Sequence, residues 1–295
     1  MHVQIKPQSL FRPGSADFLR EGVLTSLSNI QDAGYQLWID SQIDQKVLNI
    51  LKNEGLNISK EAPAQVDAII GTDEAAEKLT IRKVGGDEEI LESWKSLAQL
   101  MLYPPRIAEV SRKTSETEIY VKVNLDGSEA HHISTGLGFF DHMLEQIARH
   151  GYVDLMVNCK GDLHIDEHHT IEDTALALGD ALAKAVGDKR GIERYSSVLP
   201  MDETRAMVAL DLSGRPYLVF EGEFKREKVG DFPTELVKHF FYSLAMNLKA
   251  TLHIEFQGEN DHHKIEACFK GFAKVFRDAV KRTRGNQIPS SKGVL

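Results

Sequence analysis

Residues 168–188 read HHTIEDTALALGDALAKAVGD, and residues 262–282 read HHKIEACFKGFAKVFRDAVKR. Both stretches have apolar residues at the three- and four-residue spacing of an amphipathic helix, and both begin with the pattern HHxxE. Each is preceded by a strand-like run and, further upstream, by a helical stretch that carries a histidine, His142 in the first case and His239 in the second. The chain therefore contains an internal duplication.

The order of elements within each repeat predicts the fold class, which is α/β (α+β). Strand-like runs with alternating polar and apolar residues, such as TEIYVKVNLDGS, occur together with two amphipathic helices in each repeat. This arrangement indicates a sheet that is covered on one face by helices. The sequence therefore predicts a duplicated two-layer sandwich with halves at about residues 106–200 and 201–295.

The residues before the duplication predict a separate, small α/β domain. In residues 1–105, helical stretches such as TSLSNIQDAGYQ alternate with short apolar runs such as LWI. The Pro104-Pro105 pair marks the predicted boundary, because proline cannot continue a helix and also restricts the residue before it. The length of 295 residues also favours two domains over one. We therefore expect one domain at residues 1–105 and a second at residues 106–295.

The HHxxE repeats predict two metal sites. Because positions i and i+4 lie on one face of a helix, His168 and Glu172 can bind one ion together. His262 and Glu266 can bind a second ion in the same way.

The remaining histidines of the repeats are candidates for completing these sites. Successive helical residues turn by about 100°, so His169 and His263 point away from their neighbours' ions. Across a pseudo-twofold axis, each of them could reach the ion of the other half. A further ligand would come from the preceding helix, which makes it either His142 or His239.

The type of donor atom indicates which ion is bound. Imidazole and carboxylate donors without a cysteine thiolate suit Mn, Fe, Co or Zn, and the many nitrogen donors argue against Mg and Ca. An octahedral site with open positions suits Mn²⁺ best, so we expect two Mn²⁺ ions in each active site.

Composition and charge exclude several classes of protein. A net charge of −9 argues against general nucleic-acid binding, and no apolar run is long enough to span a bilayer. The stretch MHVQIKPQSLF lacks the basic flank and apolar core of a secretory signal, and two cysteines are too few for a disulfide framework. We therefore expect a cytoplasmic protein with a small-molecule substrate and with neither nucleic acid nor membrane as a partner.

Long motifs in residues 106–295 resemble the signatures of the imidazoleglycerol-phosphate dehydratase family. These motifs are GLGFFDHMLEQIARHG, GDLHIDEHHTIEDTALALGDAL, HHKIEACFKGFAKVF, and RxTxET as Arg112, Thr114, Glu116 and Thr117. The resemblance implies loss of water from imidazole glycerol phosphate to give imidazole acetol phosphate in histidine biosynthesis. It also implies a manganese-dependent assembly of 24 subunits.

This reaction requires a proton to be removed from a carbon with no carbonyl beside it. Two ions on the imidazole nitrogens would favour the imidazolate, whose electrons can expel the hydroxyl on the adjacent carbon. A carboxylate can then take the neighbouring proton. The resemblance makes Glu116 the first candidate, while Asp166, Glu167 and Asp141 could be catalytic or could orient the ligating histidines.

The phosphate end of such a substrate needs cationic or amide donors. Arginine binds phosphate through two parallel hydrogen bonds, whereas lysine acts as a point charge. The resemblance implies phosphate contacts that include the C-terminal stretch IPSSKGVL, and the residues implied are Arg194, Arg215, Lys270, Ser290 and Lys292.

The first domain resembles part of a haloacid-dehalogenase-type phosphatase. The similar stretch is FRPGSADFLREGVLTSLSNIQDAGYQLWIDSQ, and some members of the dehydratase family carry such a histidinol-phosphate phosphatase in front. Phosphatases of this type need a DxD motif after the first strand, and MHVQIKPQSLF contains no aspartate. We therefore interpret residues 1–105 as a degenerate domain without phosphatase activity.

Two other functions remain open from the sequence. Two ions held by His and Glu could activate water against a phosphoester, which would make the chain a dinuclear phosphohydrolase. Such hydrolases usually bridge their ions with aspartates, whereas this pattern is a nearly symmetric histidine array. The second possibility is a non-catalytic metal-binding or scaffold protein, against which the intact ligands of both halves and Glu116 argue.

Overall fold

A computed structural model of the chain describes residues 1–15, 18–40, 43–73, 77–283, 287–293 and 295, with the side chains of residues 196–199 left aside. The chain forms two compact units. The first comprises Met1–Pro104, and the second comprises Pro105–Thr283 together with Gln287–Leu295.

The first unit is a mixed sheet with helices. Its strand order is β3-β2-β1-β4-β5-β6, in which β1 to β4 are parallel and β5 and β6 are antiparallel additions. The described elements are β1 (His2–Ile5), a short 3-10 helix (Pro7–Leu10), α1 (Val23–Asp32), β2 (Gln36–Ile39), α2 (Gln45–Asn53), β3 (Ile58–Ser59), β4 (Ala68–Thr72), β5 (Leu79–Lys83), β6 (Glu88–Leu91) and α3 (Trp94–Leu102).

The core of the first unit lies between this sheet and helices α1 and α3. Val3 and Ile5 of β1 are fully buried, and Trp94 at the start of α3 is buried with them. The indole nitrogen of Trp94 donates a hydrogen bond to the carbonyl of Ser9, so the buried ring keeps its polar atom paired. This contact ties α3 to the segment that follows β1.

The second unit contains two four-stranded sheets, a two-stranded sheet formed by Lys228–Val229 and Phe232–Pro233, and four long helices among its described residues. The elements of its first half are β7 (Ile107–Lys113), β8 (Thr117–Asn124), β9 (His131–Ser134), α4 (Gly138–Gly151), β10 (Asp154–Gly161) and α5 (His168–Val186). Those of the second half are β11 (Tyr195–Met201), β12 (Thr204–Asp211), β13 (Tyr217–Glu221), β14 (Lys228–Val229), β15 (Phe232–Pro233), α6 (Glu235–Leu248), β16 (Thr251–Gln257) and α7 (Asp261–Ala279).

The two halves of this unit share one topology. The sheets have the orders β7-β8-β10-β9 and β11-β12-β16-β13, with the first three strands antiparallel and the last one parallel to its neighbour in both. This confirms the predicted duplicated two-layer sandwich. The predicted start of the second half at residue 201 needs correction, because β11 begins at Tyr195 and pairs with β12.

The halves join through their helices. Helix α5 packs against α6, and α4 packs against α7, so each helix pair contains one member from each half. Gly179 allows a close approach, because a Cβ atom there would lie 2.7 Å from the carbonyl oxygen of Leu244. Aromatic side chains fill the centre, where the rings of Phe240 and Phe269 are 4.7 Å apart. This crossed pairing determines which histidines meet.

None of the helices in the described ranges combines the length and the apolar character that a membrane crossing requires.

Candidate active site

The first residues of α5 and α7 form the centre of two matching side-chain clusters. His168 Nε2 lies 3.1 Å from Glu172 Oε2, and His262 Nε2 lies 3.2 Å from Glu266 Oε2. In each pair the two residues are one helical turn apart, which places them on the same face of their helix. The structure therefore brings together each HHxxE pair that the sequence predicted to share an ion.

A third candidate ligand reaches each pair from the opposite half. His239 of α6 joins the first pair, and its ring centroid lies 5.3 Å from that of His168. His142 of α4 joins the second pair, with its Nε2 4.0 Å from Glu266 Oε1. The candidate ligand atoms of each triad lie within 4.8 Å of one another. The choice that the sequence left open between His142 and His239 is thus resolved by the crossed helix packing.

The donor set of both triads fits a divalent transition-metal ion. Each triad offers two imidazole nitrogens and one carboxylate, which suits Mn²⁺, Fe²⁺, Co²⁺ or Zn²⁺. The carboxyl of Glu266 is buried, which raises its pKa, but the Lys270 ammonium 2.7 Å away outweighs this and lowers the pKa. The Glu266 carboxyl is therefore ionised, with Oε2 facing His262 and the other oxygen in contact with Lys270.

His169 and His263 do not join either triad in the described chain. His169 Nδ1 lies 3.0 Å from Asp162 Oδ2, and His263 Nδ1 lies 2.9 Å from Glu203 Oε2. The cross-bracing expected between the halves of one chain is therefore not formed: neither imidazole lies within ligand distance of the other half's triad, and each is bound by a carboxylate of its own half. The hydrogen bond to Asp162 raises the pKa of His169, and the hydrogen bond to Glu203 raises the pKa of His263.

The RxTxET residues build a turn that presents Glu116. The hydroxyl of Thr114 accepts hydrogen bonds from the backbone N–H groups of Glu116 at 3.1 Å and Thr117 at 3.0 Å. The Glu116 carboxylate is about half exposed and lies 3.8 Å from His169 Nε2. The candidate base is therefore placed beside a candidate ligand of α5.

Asp173 anchors this turn to α5 and was missed by the sequence analysis. Its carboxylate accepts from Arg112 Nη2 at 3.0 Å and from the Thr117 hydroxyl at 2.6 Å. Asp173 is buried and directly follows Glu172. The sequence did contain a signal for Asp173, because this carboxylate lies on the apolar face of α5. A charge at a buried position requires partners, which indicates a structural role.

The other candidate carboxylates have structural partners. Asp166 Oδ1 accepts from the backbone N–H of His168 at 2.8 Å, which stabilises the start of α5. Glu167 forms an ion pair with Lys228 at 2.6 Å. Asp141 accepts from the N–H and hydroxyl of Thr135 at 2.9 and 2.6 Å. A catalytic role for Asp166 and Glu167 stays a prediction.

Four of the phosphate candidates lie around the C-terminal segment. Arg194 forms two hydrogen bonds to Asp211, at 2.6 and 3.0 Å, and donates a third to the carbonyl of Pro289 at 2.9 Å. The backbone of Leu295 lies close to Gly214, the neighbour of Arg215. In the same segment, the N–H of Lys292 donates to the Ser290 hydroxyl at 3.2 Å. Arg194 therefore holds the segment that carries Ser290 and Lys292.

Lys270 is separated from these four residues. It contacts Glu266 near the beginning of α7, whereas the N–H of Arg194 donates to the carbonyl of Ala279 at the end of that helix. At 1.5 Å per residue, Glu266 and Ala279 are about 20 Å apart along α7. Lys270 therefore lies beside the candidate triad at the start of α7, whereas Arg194 and the C-terminal segment lie at the other end of this helix.

Comparison with known proteins establishes the family. The model of the family Imidazoleglycerol-phosphate dehydratase matches residues 135–276. The structure of imidazoleglycerol-phosphate dehydratase from Staphylococcus aureus subsp. aureus N315 is 38% identical, with a TM-score of 0.55, and the match covers 60% of this chain and 99% of that protein. The chain belongs to the imidazoleglycerol-phosphate dehydratase family.

Two further relatives extend this comparison. The Pyrococcus furiosus dehydratase structure is 33% identical, with a TM-score of 0.55, and the match covers 63% of this chain and all of that protein. The histidine biosynthesis bifunctional protein HisB of Actinobacillus pleuropneumoniae is 62% identical over 192 residues, which are 65% of this chain and 53% of that protein. The chain spans about half the length of the curated relatives that it matches.

The similarity also reaches the first unit. HisB of Spirosoma linguale is 50% identical over 236 residues, which are 79% of this chain and 60% of that protein. This alignment is longer than the second unit, so it extends into the first. The first unit thus resembles part of a bifunctional histidine-biosynthesis protein. Its β1 is followed by Lys6, Pro7 and Gln8 rather than by aspartates.

Proposed function

We propose that the chain is an imidazoleglycerol-phosphate dehydratase that eliminates water from imidazole glycerol phosphate to give imidazole acetol phosphate. The observation that supports this most is the pair of equivalent triads, each with two imidazoles and one carboxylate, in a member of this family. Two matching ions suit a substrate that itself carries two ring nitrogens. The triads would bind two Mn²⁺ ions per chain, and the cytoplasm is the proposed location.

The side chains around the triads account for the remaining chemistry. The two triads would hold the ions, which would supply Lewis-acid stabilisation of the charge that develops on the substrate imidazole as the hydroxyl on the adjacent carbon leaves. Glu116 accepts the proton from the neighbouring carbon, because its carboxylate is accessible and its turn is fixed by Thr114. The Asp173 anchor keeps this turn in register with the ligands of α5.

The positions of the phosphate candidates support a homo-oligomer. The imidazole and the phosphate of the substrate are joined by three carbon atoms and span less than about 10 Å. The substrate cannot bridge the distance of about 20 Å along α7 that separates Glu266 from Ala279, the residue that Arg194 contacts. The triads of one copy would therefore bind the imidazole of a substrate whose phosphate is bound by Arg215, Ser290 and Lys292 of another copy. His169 and His263 would complete the ion sites of neighbouring copies. We propose 24 subunits, as the family resemblance implies.

Mixed oligomers test this arrangement. A Glu172→Gln chain and an Arg215→Ala chain should each be nearly inactive, while co-assembled mixtures should be clearly more active than either. The gain is expected because some sites then combine intact triads with intact phosphate groups from different copies. Turnover of co-expressed and separately tagged chains measures it. Mixtures of Glu172→Gln with a chain carrying both substitutions serve as the control and should gain nothing. A verified mixture without recovery would contradict the shared site.

Product analysis distinguishes the lyase from a dinuclear phosphohydrolase. With imidazole glycerol phosphate and Mn²⁺, the purified protein should form a product that has lost one water and kept its phosphate. Mass spectrometry and an assay for inorganic phosphate follow the two outcomes in parallel. Release of phosphate without loss of water would support the hydrolase instead. In the described triads, no aspartate is present to bridge two ions, which favours the lyase.

We propose that the first unit has no phosphatase activity of its own. The residues that follow β1 are Lys6, Pro7 and Gln8, and none of them can act as the nucleophilic carboxylate of that reaction. The intact chain is therefore expected to release no phosphate from histidinol phosphate above the uncatalysed rate. A phosphate-release assay with and without Mg²⁺ checks this, with an active HisB relative as the positive control. Metal-dependent turnover by the purified chain would contradict it.

A further inference from the structure

The two halves carry equivalent glutamates on equivalent hairpins. Glu116 directly precedes Thr117, the first residue of β8, and Glu203 directly precedes Thr204, the first residue of β12. Each hairpin packs against a helix that carries two successive histidines in its first turn. A strictly symmetric duplication would use these two glutamates in the same way.

The glutamate of the second half is fully engaged in hydrogen bonds. Glu203 Oε2 accepts from His263 Nδ1 at 2.9 Å, and Oε1 accepts from the N–H of Asn260 at 3.0 Å and the Thr204 hydroxyl at 3.1 Å. The hydrogen bonds from His263 and Asn260 lower the pKa of Glu203 to about 2. Its carboxylate thus joins the hairpin to the start of α7.

In the first half a different carboxylate has this role. His169 Nδ1 is bound by Asp162, at 3.0 Å to Oδ2 and 3.2 Å to Oδ1. Asp162 follows Gly161 at the end of β10, whereas Glu203 belongs to a hairpin. Glu116 instead lies 3.8 Å from the other nitrogen of the same ring, Nε2, and stays about half exposed.

The two halves use opposite members of the same pair of positions to bind the histidine. The residue of the second half that corresponds in position to Asp162 is Glu259, which follows Gly258 beyond the end of β16 and is exposed. In the first half, the carboxylate that binds the histidine Nδ1 atom comes from the strand-to-helix loop. In the second half, it comes from the hairpin.

The hydrogen bonds determine which nitrogen of each ring is available. An ionised carboxylate only accepts hydrogen bonds, so Nδ1 of His169 and of His263 carries the proton in the neutral ring. The lone pair of Nε2 is then free to bind an ion. Carboxylates in this position fix both the tautomer and the ring orientation of a ligating histidine.

We propose that Asp162 and Glu203 are positioning residues for the ligands His169 and His263, and that Asp162 leaves Glu116 free for proton transfer. Both parts rest on the proposed function, because His169 and His263 become ligands only in the proposed homo-oligomer, but Mn²⁺ binding tests the positioning role without any turnover. The two hairpin glutamates thus have different roles: Glu116 transfers a proton, and Glu203 positions His263. Glu203 is a structural counterpart of Glu116 and not a second base.

Metal affinity of the intact protein tests the positioning role. Asp162→Asn and Glu203→Gln should each weaken Mn²⁺ binding by about 10- to 100-fold, the usual effect of losing a carboxylate behind a ligating histidine. Glu116→Gln and the positional control Glu259→Gln should bind Mn²⁺ as the parent does. Calorimetric titration of the metal-free proteins gives these affinities, and it needs no enzymatic activity. Unchanged affinity in both Asp162→Asn and Glu203→Gln would overturn the proposal.

Two further readouts separate positioning from catalysis and from misfolding. Saturating Mn²⁺ should restore most of the turnover of Asp162→Asn and Glu203→Gln, but none of that lost in Glu116→Gln. A Glu203→Gln chain that stays inactive with its metal sites filled would make Glu203 a catalytic residue and overturn the division of work. The charge-conserving variants Asp162→Glu and Glu203→Asp should recover part of the Mn²⁺ affinity. Equal losses in both kinds of variant would also contradict the hydrogen-bond account.

Discussion

Glu116→Gln is expected to slow turnover by about 1,000-fold while leaving metal binding and assembly unchanged. A positioned general base contributes roughly 10²- to 10⁴-fold to a rate, and the amide cannot accept the proton. The substitution nearly keeps the shape of the side chain, and Thr114 still binds the backbone of the turn. The kcat at saturating substrate and Mn²⁺ measures the effect, together with the metal content of the same sample.

Glu118→Gln is the matched control for this experiment. Glu118 lies on the same hairpin, is exposed, and forms a surface ion pair with Lys113 at 3.0 Å. Such exposed pairs contribute little to stability, so its turnover should stay within about twofold of the parent. A Glu116→Gln chain with near-normal kcat would contradict the assignment of the base and would direct attention to Asp166 and Glu167.

Glu172→Gln is expected to remove one of the two ions and with it nearly all activity. The carboxylate is the one anionic donor of its triad, and the amide that replaces it is a much weaker ligand for a divalent ion. We expect about one ion per chain instead of two, and a loss of turnover of at least about 100-fold. The helix should persist, because the Glu172 side chain is 39% exposed and the core of α5 does not depend on it.

Elemental analysis of gel-filtered protein, combined with circular dichroism, measures both parts of this result. Asp180→Asn is the control on the same helix, since Asp180 forms an exposed ion pair with Lys184 at 2.8 Å. It should keep two ions and normal turnover. If Glu172→Gln still held two tightly bound ions, the triad at the start of α5 would not be a metal site.

Periodicity along the chain was sufficient to predict the local part of the site. The pairing of His168 with Glu172 follows from one helical turn, and the repeat predicts the same for His262 and Glu266. By the same rule, Lys270 lies one turn after Glu266. Its position beside the triad could have been found from spacing, although the family resemblance assigned it to the phosphate.

The non-local part of the site required the tertiary structure. His239 meets α5 because α6 crosses over from the other half, and no spacing within either repeat contains that information. The position of the His169 ring depends on Asp162, a residue of the preceding loop. The role of Asp173 becomes clear only from its partners Arg112 and Thr117, which belong to a hairpin distant in sequence.

The most direct test of the account is a Mn²⁺ titration of the metal-free, intact protein, with water loss from imidazole glycerol phosphate measured at every step. We expect activity to rise with occupancy and to reach its plateau at two ions per chain, one for each triad. Full activity in protein without metal, or a plateau at a single ion per chain, would contradict the account.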